Sequence, residues 1–334
     1  MERTNVSNKL MKVITNKEFA SVFTLIVLWL FFYSLNRSFL SLPNLTVLFT
    51  VIPVFGIVTI GITLLMIGGE FDLSVASVFA LSPIIVVILT KYFGIPGYLS
   101  FFIALLVSLL IGFLNGIITT KIGIPSFIVT LGTLLVWLGV ALQITLGEPL
   151  VFSLPFEQIL VGSIGLGGLI NAQLVWFIVI AIISYIILEK HRWGNWIFAV
   201  GGNKYAAKAK GINVDIVKIS LFMLSSFLAG LAGIMYSSIY AQAIASQGEN
   251  LELDAIAAAV IGGTSLLGGE GSVISAIVGT IIIWSIENGL ILIGVSSYVY
   301  ETLIGAIVII VTSIHLYTKK VSRNLRLGEE NESE

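Results

Sequence analysis

The feature that most constrains this chain is a series of apolar runs, nearly all of them long enough to cross a lipid bilayer. A helix needs about 20 apolar residues to cross the hydrocarbon core. Hydrophobic residues make up 57% of the 334 residues and charged residues only 10%. Because a water-soluble fold could not bury so much apolar surface, the sequence predicts an all-α polytopic membrane protein. The predicted spans are 19–35, 45–67, 73–93, 97–119, 124–146, 171–188, 216–240, 254–268, 272–294 and 299–317.

The distribution of basic residues predicts how these ten spans are oriented. If the N-terminus is cytoplasmic, fifteen of the 17 Lys and Arg residues fall on the cytoplasmic side, and only Arg37 and Lys91 fall outside. Basic residues are enriched in cytoplasmic loops. Omitting the eighth span, which is short and interrupted by glycines, would move the C-terminal basic cluster outside. We therefore expect both termini in the cytoplasm, with a segment 1–18, a transmembrane domain 19–317 and a tail 318–334.

Composition excludes several classes of function. The chain has no cysteine, so it has no disulfide, thiolate metal site or cysteine nucleophile. His191 and His315 are far apart in sequence, and we expect no metal site built on them. The net charge of −1 provides no basic field for nucleic acid. Since no Ser–His–Asp set or other catalytic constellation is present, we do not expect an enzyme.

The stretch "IGGTSLLGGEGS", residues 261–272, has the spacing of a phosphate-binding loop but not its chemistry. After the G-x-x-x-x-G that begins at Gly263, the loop requires Lys and then Ser or Thr. Here those two residues are Gly269 and Glu270, and a carboxylate repels phosphate. We therefore expect this chain not to bind ATP by that route. The glycine density predicts a broken helix or a tight turn at the end of a span.

Small residues recur at four-residue spacing within several spans. Such rows let helix backbones approach closely in lipid. Close packing is the simplest interpretation, although a sliding surface would use the same residue types. The rows are Gly112 and Gly116; Ser225, Ala229 and Gly233; and Ala255, Ala259 and Gly263.

A few polar residues interrupt the apolar spans. Glu287 and Asn288 lie inside the ninth span, and Asp72 lies between the second and third. Intramembrane carboxylates usually face a cavity or a partner. For Glu287 and Asn288, a pathway role and a buried structural hydrogen bond both remain open. Asp72 is expected to cap the third span, accepting backbone N–H groups around Ser74 and Val75.

The stretch "GGNKYAAKAKGINVD", residues 201–215, is a cationic segment between two apolar spans. Asn203 is a suitable N-cap and Gly211 a suitable residue just after a helix. The residues between them favour helix formation, which predicts two turns. So short a helix is marginal in water and needs a surface to dock on. The residues by themselves allow either a protein partner or anionic lipid headgroups as that surface.

Four separated stretches together resemble one known family. They are "GGEFDLSVASVFALS", "NGIITTKIGIPSFIVTLGTL", "AVGGNKYAAKAKGINVDIVK" and "ELDAIAAAVIGGTSLLGGEGS". In this order they resemble the membrane permeases of bacterial ABC importers of the ribose/monosaccharide type. The resemblance covers residues 45–317. The family pattern usually reads "GGIDLSVGS", so Glu70 is an additional residue here and Ala76 replaces a glycine.

The resemblance implies a set of partners. Two permease copies, or two relatives, would surround a pathway in the cell (inner) membrane, embedded in lipid and without nucleic acid. A cytoplasmic ATPase would bind ATP and magnesium, so this chain would hold no cofactor. An extracytoplasmic binding protein would deliver the solute. A coupling helix, about 203–212, would dock on the ATPase. Its family-matched residues are Gly201, Gly202, Asn203, Ala206, Ala207, Lys208, Gly211 and Ile212.

The resemblance also implies import of a monosaccharide, with a ribose-like pentose preferred. Related permeases carry nucleosides, a furanone signal or branched-chain amino acids, and these remain alternatives. A secondary transporter driven by an ion gradient is a further alternative, for which Glu287 is the one suitable intramembrane carboxylate. The candidate pathway residues are Asp72, Asn115, Thr130, Glu287 and Asn288.

Overall fold

A computed structural model describes residues 17–296, 298–307, 309, 310 and 313 of the chain. Residues 1–16 of the expected N-terminal segment lie outside the described residues. The expected tail 318–334 and the end of the tenth span lie outside them as well.

The described chain is built almost entirely of α-helices, because an apolar backbone in lipid must satisfy its own hydrogen bonds. A π-helical turn, Ile118–Ile122, follows the helix Gly97–Ile117, and residues 298–307 form the helix α13. The other helices are α1 (Lys17–Leu35), α2 (Leu42–Ile67), α3 (Val75–Lys91), α4 (Gly97–Ile117), α5 (Ser126–Thr145), α6 (Glu157–Val161), α7 (Ala172–Lys190), α8 (Arg192–Gly202), α9 (Lys204–Ala209), α10 (Val214–Tyr240), α11 (Leu251–Ile261) and α12 (Val273–Leu292).

Six of these helices are long and apolar enough to cross a membrane, and two shorter ones are also apolar. The prediction of an all-α polytopic membrane protein is therefore confirmed, whereas the count of ten spans stays a prediction. The six are α2, α4 with its π-helical turn, α5, α7, α10 and α12; the two shorter ones are α1, from Ser21 onward, and α3.

The eighth predicted span, 254–268, has the wrong boundaries. Its helix, α11, has 11 residues, which corresponds to about 16 Å at 1.5 Å per residue. Residues 262–272 form no helix, as expected from their glycines. Gly263 has φ +108° and cannot continue a helix. The chain turns back here and enters α12 at Val273, where the Ser272 hydroxyl accepts a hydrogen bond from the Ser275 amide.

Helix α10 lies at the centre of the fold and packs against α2, α3 and α4. A Cβ on Gly112 of α4 would lie 2.4 Å from the Phe222 carbonyl oxygen, and one on Gly233 would lie 1.9 Å from that of Phe79. These glycines let the backbones touch, as the small-residue rows predicted.

Two antiparallel pairs of short strands organise the connection between α5 and α7. Strand β1 (Leu150–Val151) pairs with β4 (Gln242–Ala243), and β2 (Ser163–Gly165) pairs with β3 (Ile170–Asn171). The β1–β4 pair fixes this connection beside the end of α10. There the segment 241–250 leaves α10 and leads into α11.

Candidate functional site

A cavity of about 450 Å³ lies between α2, α10, α11 and α12, and we call it the carboxylate cavity. This is within the usual size of small-molecule sites. On α12, the lining residues Trp284, Glu287, Asn288 and Ile291 recur at the spacing of one helical face. The lining residues of α2, from Val47 to Phe55, follow the same rule. The sequence therefore places one face of each helix toward the same space.

Aromatic rings form one wall of the carboxylate cavity. The ring of Phe55 stacks on Trp284, with centroids 4.6 Å apart and planes 16° apart. Tyr236 contacts Tyr240 one helical turn further along α10, with ring centroids also 4.6 Å apart. Flat apolar faces beside a few polar groups are typical of sites that bind small organic molecules.

Three acidic residues, Glu249, Asp254 and Glu287, line the same cavity. The Asp254 carboxylate accepts a hydrogen bond from the Tyr300 hydroxyl at 3.1 Å, which holds it toward α13. Within the described part of the chain, no Lys, Arg or His lines this cavity. The site therefore offers several hydrogen-bond acceptors and, in its described lining, no cationic side chain to pair with an anionic ligand.

Of the five candidate pathway residues, Glu287 and Asn288 lie in this cavity. Asn288 exchanges two side-chain hydrogen bonds with Asn44 of α2, both at 2.9 Å. This amide pair joins α12 to α2 at the edge of the cavity. Asn288 thus makes the structural hydrogen bond that the sequence left open, while Glu287 beside it faces the cavity.

Asp72 and Asn115 lie together in a separate, fully buried cluster. Asp72 Oδ1 accepts from the Ser74 amide at 3.0 Å and from the Ser74 hydroxyl at 2.5 Å. Its Oδ2 accepts from Ser226 at 3.3 Å, and Asn115 Nδ2 donates to the Ser74 hydroxyl at 2.9 Å. Asp72 therefore caps the start of α3 through the Ser74 amide, which is one of the two predicted donors; its other described donors are the Ser74 and Ser226 hydroxyls and not the Val75 amide.

Thr130 belongs to neither group. Its hydroxyl donates to the Ser126 carbonyl one turn earlier in α5, at 2.8 Å, and the side chain is fully buried. This hydrogen bond stays within one helix.

Glu70, the additional residue relative to the family pattern, forms an ion pair with Lys218 of α10. Both side chains are largely buried, so the pair joins the loop after α2 to the central helix. Paired in this way, Glu70 lies in the loop before α3 and not among the residues that line the carboxylate cavity.

Asp254 and Glu249 are cavity residues that the sequence reasoning missed. They fall in the stretch "GENLELDA", where acidic residues are unusually dense for so apolar a chain. That density is a usable signal. It was overlooked because the stretch coincides with the uncertain start of the eighth span.

The cationic segment forms α9, and its caps are those predicted. The Asn203 side chain accepts hydrogen bonds from the Tyr205 and Ala206 amides, at 3.0 and 3.1 Å. Gly211 follows the helix with φ +82°. One residue differs from the expected docking surface, since Ala207 is only 2% exposed and packs into this chain's own core.

The remaining predicted coupling residues sit around α9. Gly202, Asn203, Ala206, Lys208 and Gly211 are exposed, whereas Gly201 and Ile212 are half-buried. Tyr205, which was not among the candidates, is 76% exposed. All residues of α9 except Ala207 are therefore exposed, and they form its free face: Lys204, Tyr205, Ala206, Lys208 and Ala209.

Comparison of the sequence with known proteins identifies the family of this chain. The chain is 32% identical over 326 residues to the xylose/arabinose import permease protein of Sulfolobus acidocaldarius, covering 95% of this chain and 90% of the relative. It is 34% identical over 306 residues to the ribose import permease protein of Haemophilus influenzae, covering 90% and 94%.

A further relative is the autoinducer 2 import system permease protein of Yersinia enterocolitica, 31% identical over 297 residues, covering 88% and 81%. No solved structure gives a significant match. Residues 44–312 match the family described as "Branched-chain amino acid transport system / permease component". This match spans most of the chain, from the first turn of α2 to beyond α13, and the chain therefore belongs to this family of membrane permeases.

Proposed function

We propose that this chain is the transmembrane subunit of an ATP-driven importer that carries a monosaccharide, preferably a ribose-like pentose, into the cytoplasm. The carboxylate cavity is the observation that carries this proposal. It combines aromatic side chains with carboxylate and amide acceptors, and its described lining has no basic residue. A sugar presents apolar C–H faces and many hydroxyl donors, which match these two kinds of wall.

The same cavity argues against one alternative solute. A branched-chain amino acid carries an ammonium group, for which this cavity has acidic partners, and a carboxylate, for which the described lining has no Lys, Arg or His. Like charges in an environment of low polarity repel strongly. The relatives named for xylose/arabinose and ribose import agree with a pentose. The relative named for autoinducer 2 import makes that signal the second solute to test.

The proposal includes a topology. The chain crosses the cell (inner) membrane ten times and has both termini in the cytoplasm, because this threading leaves only Arg37 and Lys91 outside. In this orientation α9 lies in the cytoplasm. The carboxylate cavity lies between the outer halves of α2, α10 and α12, where an extracytoplasmic binding protein would release its sugar.

The partners follow from what the chain offers. The exposed face of α9 docks on a cytoplasmic ATPase, which binds ATP and magnesium in place of this chain. A second permease copy or a paralogue completes the pathway. Movement of α9 switches the bundle between outward and inward openings, which requires two packings of similar energy.

Uptake by reconstituted vesicles tests the proposal. Vesicles would contain this chain, its ATPase and its binding protein, with labelled ribose, xylose, leucine and autoinducer 2 as candidate solutes. We expect pentose uptake that needs ATP inside and persists when an uncoupler collapses ion gradients. Uptake that stops with the uncoupler at constant ATP would establish an ion-coupled transporter, and leucine as preferred solute would contradict the sugar assignment.

One pair of variants tests docking by α9. Ala206→Glu adds a charge to the exposed face, and we expect uptake to fall about tenfold while the fold stays intact, as expected for removal of a central interface contact. Asn195→Glu is the matched control, since it adds the same charge to an exposed position on the neighbouring α8. Ala207→Glu should instead destabilise the protein, because Ala207 is buried. Normal uptake by Ala206→Glu would contradict docking.

A further inference from the structure

Three pairs of glycines from distant parts of the chain meet where α8 ends. They are Gly68 and Gly69 after α2, Gly201 and Gly202 at the end of α8, and Gly268 and Gly269 in the loop between α11 and α12. A Cβ added to any of four of them, Gly69, Gly201, Gly268 and Gly269, would meet the backbone of another glycine of the set, and we call these four the glycine junction. Asn203, which caps α9, follows two residues after Gly201.

The contacts in the glycine junction leave no room for a side chain. A Cβ on Gly201 would lie 1.8 Å from the Ile67 carbonyl oxygen and 2.7 Å from the Gly269 nitrogen. A Cβ on Gly268 would lie 2.8 Å from both the Gly201 oxygen and the Gly69 Cα. Three chain segments are thus in van der Waals contact through their backbones alone.

A hydrogen bond joins two of these segments directly. The Gly269 amide donates to the Ile67 carbonyl at 2.8 Å, which ties the loop between α11 and α12 to the last turn of α2. Gly201 packs over this bond from the third side. The end of α8 therefore packs against the end of α2 and against the loop between α11 and α12. The start of α9, which follows directly, is held at the same place.

Both glycine-containing segments connect directly to elements that hold buried polar or acidic side chains. Beyond Gly69 the chain passes Glu70 and the Asp72 cap into α3. The loop that holds Gly268 and Gly269 joins α11 to α12, the helices that carry Asp254 and Glu287. A displacement of α9 would therefore be passed directly to the segment after Gly69 and to the loop between α11 and α12. Contacts between backbone atoms cannot be relieved by a change of side-chain rotamer.

We infer that Gly201, Gly268 and Gly269 are positioning residues that transmit movement of α9, as one rigid unit, to the ends of α2 and α11. The inference rests on the proposed function, since there must be an ATPase to move α9. It adds that the glycine junction is a route of transmission separate from the buried contact of the Ala207 side chain.

Gly201→Ala inserts a methyl group into the junction and tests this in the complete reconstituted transporter. We expect pentose uptake to fall about tenfold while ATP hydrolysis persists, because single changes alter coupling between sites by roughly 0.5–2 kcal/mol. Gly139→Ala is the matched control, since Gly139 lies in a helix with open space around its Cα. Equal uptake per ATP in Gly201→Ala and the unmodified complex overturns the inference.

A distance measurement decides the question even if Gly201→Ala fails to assemble. Because the chain contains no cysteine, Lys204→Cys and Leu267→Cys provide two sites for spin labels within it, both exposed, and mixing in an excess of unlabelled chain keeps one labelled copy in each complex. A rigid junction keeps the distance between these labels the same in the nucleotide-free and ATP-trapped complexes. A shift of that distance between the two states overturns the inference.

The unmodified complex separates this inference from the proposed function. If it shows no ATP-dependent uptake, the proposed function fails. If it transports normally while the label distance in the Lys204→Cys/Leu267→Cys complex changes between states, only the junction fails. In Gly201→Ala, where it assembles, the added methyl group should broaden the distance distribution; an unchanged distribution also counts against the junction.

Discussion

Asp72 and Glu287 are both carboxylates among apolar helices, yet their surroundings differ completely. Asp72 is fully buried, and donors from Ser74 and Ser226 surround its oxygens. Glu287 opens onto a cavity whose other described lining groups include two more acids and no base. A buried carboxylate with its own donors holds the fold together, whereas one that faces empty space is available to a ligand.

Asp72→Ala should give the largest effect on stability. It leaves the Ser74 amide and the Ser226 hydroxyl without their acceptor, and we expect the free energy of unfolding to fall by about 3 kcal/mol. Thermal unfolding of the purified protein in detergent measures this. Asp72→Asn, which keeps one acceptor oxygen, serves as the control and should lose less than half as much. Equal losses would mean that the hydrogen bonds are not what stabilises the cluster.

Glu287→Gln should show the opposite pattern. We expect uptake to fall about tenfold, or ~1.4 kcal/mol, close to the lower end of the roughly 1.5–3 kcal/mol of a hydrogen bond to a charged group, while thermal stability does not fall. Glu148→Gln is the control, because Glu148 is exposed and lies outside the carboxylate cavity. A large loss of stability with normal uptake would place Glu287 with Asp72 and remove the contrast between the two regions.

Thr130→Val should have the smallest effect. The Thr130 hydroxyl bonds only to the Ser126 carbonyl of its own helix, so its removal should cost less than about 1 kcal/mol and leave uptake unchanged. Uptake and thermal unfolding of the same preparation check both statements. Reduced uptake at unchanged stability would bring α5 into the pathway and extend the solute site beyond the carboxylate cavity.

Local chemistry could be predicted from the sequence where the partners are near in the chain. Asn203 caps α9 and Asp72 caps α3 because a cap needs only a side chain and amides two or three residues away. Glu287 was singled out because an acid in an apolar span is costly. The loop after α11 was expected because glycines are dense there, which is also a local signal, although the helix before it is shorter than predicted.

Contacts between distant segments could not be predicted in this way. Asn288 pairs with Asn44, 244 positions away, and Gly201 meets both Ile67 and Gly269. The burial of Ala207 could not be predicted either, because nothing in the sequence of its helix explains why Ala207 is buried while Ala206 is exposed. Each depends on how the helices cross, and an apolar sequence leaves many crossings nearly equal in energy.

The sequence by itself therefore determined the class of protein, the apolar helices and the caps at their ends. These depend on hydropathy, propensity and hydrogen bonds between near neighbours, all of which are local properties. Only the tertiary structure decided which of the polar residues share a cavity, which are consumed by the fold, and which glycines touch. Those outcomes depend on packing between helices, where one missing Cβ can decide whether two backbones meet.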